Sequence, residues 1–478
     1  MKKRAPHPPF SCDPPLTRRP HPASIALYAQ PMNHAPAITP PSALQGLLLQ
    51  RIAKGGPIPF TAFMQAALYE PGLGYYTHPA SATDAPLTGA TGDYFTSVSV
   101  GKLFGECLAR QIAEMWRTAG SPSHFWLLEQ GARDGRLAMD VLAGLQAEDT
   151  ACHSAAHLIL VEYFADDDAQ ARLSAAIAPL SNNQVALANA SHFPGSAGLP
   201  DPQWLTAQLD AWEISDPQPF GILYSNELLD AFPVALIRRC GNQWLELHVA
   251  AAETNTSPAS DAQAFRFIPL PPATPGLAEA IADLDQQAQL PDIEGYTTEV
   301  NLLAPVWMRA AARLLKRGYI LTIDYGLPRR LLYSPGRTEG TLRCFRRHTR
   351  PANPLQTPGL QDITSDVDFT ALALAGGDPD PGQLPLHVLG LVDQQRFLMG
   401  NAPPLLSADS PLYPDGNLPP DLVRSPGYRA LLRAWQALTH PEHLGSKFHI
   451  LLQCKGMHTP NATPPTLRGL RFCRHVEL

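Results

Sequence analysis

No stretch of this 478-residue chain approaches the length of apolar sequence that crosses a bilayer, so no membrane-spanning segment is expected. Charge is sparse, at 17% of residues, and the formal net charge of -7 lacks the basic excess that would point to nucleic acid as a partner. Cysteines are few and scattered: Cys12, Cys107, Cys152, Cys240, Cys344, Cys454 and Cys473 are odd in number and never at metal-site spacing. That pattern excludes a disulfide framework and a cysteine-built metal centre, and suits reduced thiols of the cytosolic kind. No other metal ligand set is read; "HPEH" (440–443) lacks the spacing of a metal-binding helix and reads as surface. There is no internal repeat and no G-x-G-x-x-G fingerprint.

Proline is in excess. The chain has 50, about twice the usual share of roughly 5%. Eleven of them fall within residues 1–41, where Asp13 is the only acid among Lys2, Lys3, Arg4, Arg18 and Arg19. Such a segment buries too little apolar surface to order itself, so residues 1–42 are expected to be a disordered extension. It has no apolar core of a secretory signal. Its basic, acid-poor composition would suit an organellar transit peptide, but the prolines oppose the amphipathic helix such a peptide needs. The expected compartment is therefore the cytoplasm.

From Ala43 onward the pattern is α/β. Residues 43–124 read as a helical N-terminal cap, with an amphipathic helix over Lys102–Arg117 marked by Phe104, Leu108, Ile112 and Met115. Strand and helix then alternate. Apolar runs end at Glu129, Glu162 ("LILVEY"), Ala190 ("VALANA"), Asn226 ("FGILYSNE") and Asp324 ("YILTIDYG"), with helical stretches between. That alternation predicts a doubly wound, mostly parallel sheet with crossover helices. A Gly-Asn pair inside "ALIRRCGNQWLELHV" predicts a hairpin, part of an insertion over about 233–300. Residues 354–385 and 401–426 read as loops, "FHILLQCKG" (448–456) as a late strand, and 457–478 as a tail.

In a doubly wound sheet, ligands bind beyond the carboxyl ends of the strands. The first such end leads into "EQGARDGRL": Gly131 and Gly135 let backbone approach a ligand, and the helix beyond offers free N–H groups. Glu162 ends the next strand, where a carboxylate can accept both hydroxyls of a ribose. Together the two read as a nucleoside site. The loop alone serves equally as a plain turn with Asp134 as N-cap. The same features also suit a dinucleotide and hence a dehydrogenase, although a pyrophosphate prefers the closer approach of the absent glycine fingerprint.

"GPIPFTAFMQAALYEPGLGYYT", "GDYFTS…FGE", "LLEQGARDGRL", "YSNELLDAFPV", "LTIDYG", "GTLRCFRRH" and "DITSDVDF" follow one another in the order of a known group. The chain resembles the MidA family of S-adenosyl-L-methionine (SAM)-dependent methyltransferases, relatives of the mitochondrial complex I assembly arginine methyltransferase, over about Gly56 to Lys455. The resemblance implies a class I, Rossmann-like methyltransferase core over 125–456 with SAM as cofactor. It implies that Glu129, Gly131 and Gly135 form the loop under the cofactor, that Glu162 holds the ribose, and that Gly92 and Asp93 close the site. Asn226, Glu227 and Asp230 match an N-E-x-x-D motif beside the point of methyl transfer. Arg133 replaces the loop's middle glycine, and Ser97-Val98-Ser99 replaces a family S-P-E. His348 matches a family histidine but also reads as an ordinary strand end, while Asp362, Thr364, Asp366 and Asp368 read as loop braces.

The expected activity is methylation of a protein side chain, an arginine by resemblance. A guanidinium stays protonated in water, so carboxylates must pair with it and localise its charge; Glu227 comes first and Asp230 second. The two altered motifs motivate a rival reading, a non-catalytic assembly scaffold on the same fold, and the dehydrogenase is the third.

Overall fold

A computed structural model describes residues 43–77, 96–163, 167–180, 184–252, 264–287, 289–346, 353–407, 418–457, 466–473 and 478. The expectations for residues 1–42, Gly92, Asp93 and His348 lie outside them. The N-terminal part holds α1 (Ala43–Gly55), the two-residue strand β1 (Ile58–Pro59), α2 (Phe60–Tyr69) and α3 (Leu103–Thr118). Leu44, Leu48 and Ile52, spaced by four, give α1 a single buried face. α3 carries the apolar stripe expected of it, with Phe104, Leu108, Ile112 and Met115 buried.

The alternating segment follows: β2 (Phe125–Gln130), α4 (Arg136–Glu148), α5 (Thr150–Ala155), β3 (Ala156–Glu162), α6 (Asp167–Ile177), β4 (Val185–Asn189), α7 (Pro202–Ala211) and β5 (Phe220–Asn226). β6 (Ala235–Cys240) and β7 (Gln243–Ala251) form the Gly241-Asn242 hairpin, followed by β8 (Phe265–Leu270), α8 (Leu277–Gln286) and β9 (Thr297–Val300). The chain then re-enters the core through α9 (Leu303–Leu314), β10 (Arg317–Leu327) and α10 (Arg329–Leu332). Next come β11 (Arg343–Phe345), β12 (Asp362–Thr364), β13 (Val367–Asp368), α11 (Phe369–Gly377), β14 (His387–Asp393) and α12 (Gln394–Gly400). α13 (Pro420–Arg424), α14 (Pro426–Thr439) and β15 (Phe448–Lys455) complete the path.

The main sheet runs β14-β15-β10-β5-β2-β3-β4, with β13 paired to the end of β10. The pairs β2–β3, β3–β4, β2–β5 and β5–β10 are parallel, and β15 runs antiparallel to both β10 and β14. Register sets Glu129 opposite Leu160 and Tyr224, so the carboxyl ends of β2, β3 and β5 share one edge. This is the doubly wound sheet that the apolar runs predicted, buried on both faces by two apolar clusters.

A second sheet, β1-β7-β6-β9 with β8 on β7, makes the insertion. The first strand belongs to the N-terminal part: Ile58 pairs with Val249 and Pro59 with His248. Leu44, Phe60 and Phe63 pack in one cluster with Val234, Leu247, Phe265 and Ile363, so the N-terminal helices and the insertion share a core.

Several elements differ from the reading above. Residues 354–385 are not simply loop: β12, β13 and α11 lie there, with Asp368 Oδ1 accepting the Ala371 N–H as the cap of α11. β12 and β13 are too short for a period to register, and α11 is apolar nearly all round. β14, HVLGLVD, is a short apolar run broken by a glycine, and only Leu391 and Val392 of it are buried. In the tail, Leu467 is buried, and the Arg468 and Gly469 N–H groups donate to Glu114 and Gln111 of α3 at 2.7 and 2.8 Å.

Candidate active site

β2 ends in a sharp turn that three positive-φ residues build: Gly131 at 79°, Arg133 at 54° and Gly135 at 74°. The Gly131 N–H donates to Val161 O at 2.9 Å, which ties the turn to β3. A Cβ at Gly131 would lie 3.3 Å from Leu228 Cδ1, so a side chain there would crowd the neighbouring turn. Arg133 holds a conformation suited to glycine, at a cost of about 1–2 kcal/mol for an L-residue. Gly135 is the N-cap of α4 and has no side-chain cap, while Asp134, one residue earlier, accepts the Arg136 N–H at 3.1 Å. The turn thus does what a plain strand–helix connection does, and it also bounds a cavity.

That cavity, of about 400 Å³, is lined by Glu129, Gly131, Arg133, Glu162, Asn226 and Glu227 among others. Glu162 anchors it. One carboxylate oxygen accepts the Arg133 N–H at 2.6 Å and the other the Tyr163 N–H at 2.7 Å, leaving each oxygen a further lone pair. Burial raises its pKa, and the two N–H bonds oppose that rise. Glu129 accepts the Tyr224 hydroxyl at 2.7 Å, and burial pushes its pKa up to about 8. The Asn226 amide donates to Glu227 at 3.1 Å, while its Oδ1 is buried with no hydrogen-bond partner.

Sequence reasoning missed what closes this cavity. Tyr69 and Tyr76, from α2 and the turn after it, line it, with Tyr69 5.4 Å from both the Tyr76 and Tyr163 rings. Both tyrosines stood in the quoted "ALYEPGLGYYT", but only tertiary packing brings them over β3. The Ser97-Val98-Ser99 stretch is a local turn: Thr96 and Ser99 exchange backbone and hydroxyl hydrogen bonds, Ser97 donates to Gln394, and Val98 faces the cavity.

Beyond Asn226 the chain turns through Glu227, whose φ is 52°, a strained left-handed conformation. Asp324 holds it there. This fully buried carboxylate accepts the N–H groups of Leu228 (3.2 Å), Leu229 (2.8 Å), Asp230 (3.4 Å) and Tyr325 (2.8 Å). Burial pushes its pKa up to about 8 against those bonds. Glu227 itself rises to about 8 through burial and the nearby Asp230.

A second cavity, of about 630 Å³, lies on the other side of this turn, and Glu227 and Tyr76 line both. Asp230, Asp362, Asp366 and Tyr325 face the second one. Asp230 is 5% exposed, and its pKa stands well above the ordinary range through burial and then Asp324 and Asp362. Asp366 is paired with Arg343 and, at 3.7 Å, with Arg337. Of the four residues read as loop braces, then, Asp368 caps a helix, while Asp362, Thr364 and Asp366 face a cavity. His443 and Lys447, exposed as "HPEH" suggested, stand on the rim of that cavity. Among the described residues no cluster of three or more His, Cys, Asp or Glu is arranged to hold a metal ion, and no helix is long and apolar enough to cross a membrane.

A doubly wound sheet with a nucleoside-sized cavity at its strand ends defines a Rossmann-like fold built to bind a nucleotide cofactor. Residues 107–380 match the family described as "Putative S-adenosyl-L-methionine-dependent methyltransferase". The chain belongs to that family. It is 27% identical to the Drosophila melanogaster protein named protein arginine methyltransferase NDUFAF7 homolog, mitochondrial, over 90% of this chain and 88% of that one. The Rattus norvegicus protein arginine methyltransferase NDUFAF7, mitochondrial, is likewise 27% identical, over 84% of this chain and 82% of its own. A crystal structure from Burkholderia thailandensis, bound to S-adenosyl-homocysteine, superposes with a TM-score of 0.66 at 26% identity, covering 90% of this chain and 95% of that one.

The chain is therefore a SAM-dependent methyltransferase, which sets aside the dehydrogenase and the non-catalytic scaffold. The residues present fit the cofactor: the orphaned Asn226 Oδ1 asks for a donor, and Glu162 retains acceptor capacity for hydroxyls. The cytoplasmic expectation is overturned, because these relatives are named as mitochondrial proteins. It had rested on prolines in a segment whose basic, acid-poor composition suits an organellar address.

Proposed function

We propose that this chain methylates an arginine side chain of a protein. The observation that carries the reading is that Glu227 lines both cavities, so a group bound in either meets the same carboxylate. In the smaller cavity, Glu129, Gly131, Glu162 and Asn226 are proposed to hold the cofactor, with Glu162 on the ribose; Gly135, expected with them, does not line the cavity and instead starts α4 against Leu173 and Ile177. When bound, S-adenosyl-L-methionine supplies a methyl group on a sulfonium, the C–S bond breaking as the N–C bond forms.

The protein's own task is to present a nucleophilic nitrogen in line and to take its proton. Glu227, ionised, pairs with the guanidinium, localises its charge away from the reacting nitrogen and accepts the proton released. Asp230 adds a second carboxyl group to the larger cavity, and Asn226 fixes Glu227 through its amide. The names of the relatives, protein arginine methyltransferases, support this substrate class. The test is transfer of methyl-labelled cofactor to a protein extract, followed by acid hydrolysis and amino-acid analysis. Label in methylated arginine is expected; label confined to methylated lysine, or released as volatile methanol from carboxyl esters, would overturn the substrate assignment.

A further inference from the structure

Gln394, the first residue of α12, is fully buried and uses both ends of its amide. Its Oε1 accepts the Ser97 hydroxyl at 2.8 Å, and its Nε2 donates to Leu438 O near the end of α14 at 2.9 Å. A carbonyl oxygen only accepts, so Leu438 fixes which way the amide turns and leaves Oε1 for the Ser97 hydroxyl. Asp393, just before Gln394, accepts the Arg396 N–H at 2.8 Å and pairs in register with His449 of β15, so the amide stands on fixed backbone.

The two bonds reach different cavities. Ser97, itself fully buried, lies between Thr96 and Val98, and both of those line the smaller cavity. Their turn is closed on itself: the Thr96 N–H donates to Ser99 Oγ at 2.9 Å and the Ser99 N–H to the Thr96 hydroxyl at 3.1 Å. It moves as a unit, and the Ser97 hydroxyl ties that unit to α12. Leu438 follows Ala437, which lines the larger cavity, and the chain runs on into His443 and Leu444 on the same cavity. Gln394 lines neither cavity.

Building on the reading that the larger cavity receives the methyl acceptor, we infer that Gln394 is a positioning residue that fixes the walls of the cofactor and acceptor cavities relative to each other. It acts through Ser97 on one side and Leu438 on the other. Without the amide, a buried hydroxyl and a buried carbonyl lose their partners, and each wall shifts to find another. An in-line displacement tolerates little misalignment, so such shifts reach both cofactor binding and the transfer step.

The test uses the full chain, calorimetric titration with S-adenosyl-homocysteine, and methyl transfer to a protein extract at saturating cofactor. Gln394→Met keeps the length and loses both bonds: binding weakens about 10-fold and transfer slows by about 10-fold or more. Ser97→Ala loses the cofactor-side bond alone: binding weakens about threefold, and transfer falls less than in Gln394→Met. Gln394→Glu gives a readout that packing alone would not move. As a neutral acid it accepts from Ser97 and donates to Leu438 O; ionised, it has no donor. Its dissociation constant therefore matches wild type near pH ~5 and rises above it toward pH ~9, as a buried carboxyl ionises.

Wild-type S-adenosyl-homocysteine affinity in folded Gln394→Met overturns the inference, as does a Gln394→Glu constant that exceeds wild type by the same factor at every pH. If Gln394→Met fails to fold, Ser97→Ala and Gln394→Glu decide it. Weakened binding with wild-type transfer in Gln394→Met overturns the acceptor half. A Glu227→Gln variant that transfers at the wild-type rate overturns instead the reading of the shared carboxylate, and leaves the effect of Gln394 on cofactor binding standing.

Discussion

Removing the Glu162 carboxylate should weaken cofactor binding by an amount its surroundings allow one to work out. Each of its oxygens accepts one backbone N–H, from Arg133 at 2.6 Å and Tyr163 at 2.7 Å, and each keeps one lone pair for a ribose hydroxyl. A hydrogen bond to a charged group contributes about 1.5–3 kcal/mol, and two would sum to several. Water that replaces them in the variant trims the loss, so Glu162→Ala should raise the dissociation constant roughly 10- to 100-fold, or about 1.4–2.8 kcal/mol. The stability cost should stay near 1 kcal/mol, because Arg133 and Tyr163 are exposed and water can take their N–H groups. Glu162→Gln should bind almost as poorly: whichever way its amide turns, its NH2 group meets a backbone donor. Calorimetric titration with S-adenosyl-homocysteine reads both variants, and it isolates the nucleoside contacts from the sulfonium charge. Glu162→Ala with a native fold and a dissociation constant within twofold of wild type would refute the ribose role.

Arg133→Gly relieves a left-handed strain of about 1–2 kcal/mol but gives the unfolded chain back about 0.4–1 kcal/mol of freedom, so denaturant titration should show a small net stabilisation. A loss beyond about 1 kcal/mol would mean that the attraction of the Arg133 charge to Glu162 and Glu227 outweighs the strain. Asp324→Ala leaves four N–H groups of the Leu228–Tyr325 network without their acceptor and should lower stability by about 2–4 kcal/mol, read by the same titration; an unchanged midpoint would contradict the account of how Glu227 is held. Glu227 binds its proton more tightly folded than unfolded, its pKa rising from the ordinary 4.5 to about 8. Its contribution is therefore full below about pH 4.5 and is lost as pH rises to about 8, so Glu227→Gln should gain stability over wild type across that window and match it in acid. A pH-independent difference in melting temperature would exclude the raised pKa.

The main sheet was legible because β2, β3, β5, β10 and β15 are continuous buried apolar runs, and the polar residues that end them mark the ligand edge directly. Glu129, Glu162 and Asn226 stand out on that ground alone. The second cavity was not legible. Its walls come from a turn near Tyr76, from β11 and β12, and from the segment around His443, far apart in sequence and each too short or too irregular to show a period. Asp362 and Asp368 look alike in "DITSDVDF", yet one faces a cavity and the other caps a helix, a distinction that only the fold around them makes. The two-residue β1 joining the insertion sheet was invisible for the same reason.

The central claim is that methyl transfer happens where the two cavities share Glu227. Single-turnover measurement on Glu227→Gln, with cofactor saturating and a protein extract as acceptor, tests it most directly, because glutamine keeps the shape and one acceptor but cannot balance a guanidinium or take its proton. The account predicts cofactor binding within a few-fold of wild type and a methyl-transfer step slowed on the order of 100-fold or more, a loss of about 2.7 kcal/mol in transition-state contact. Equal transfer rates in the folded variant and wild type would contradict it.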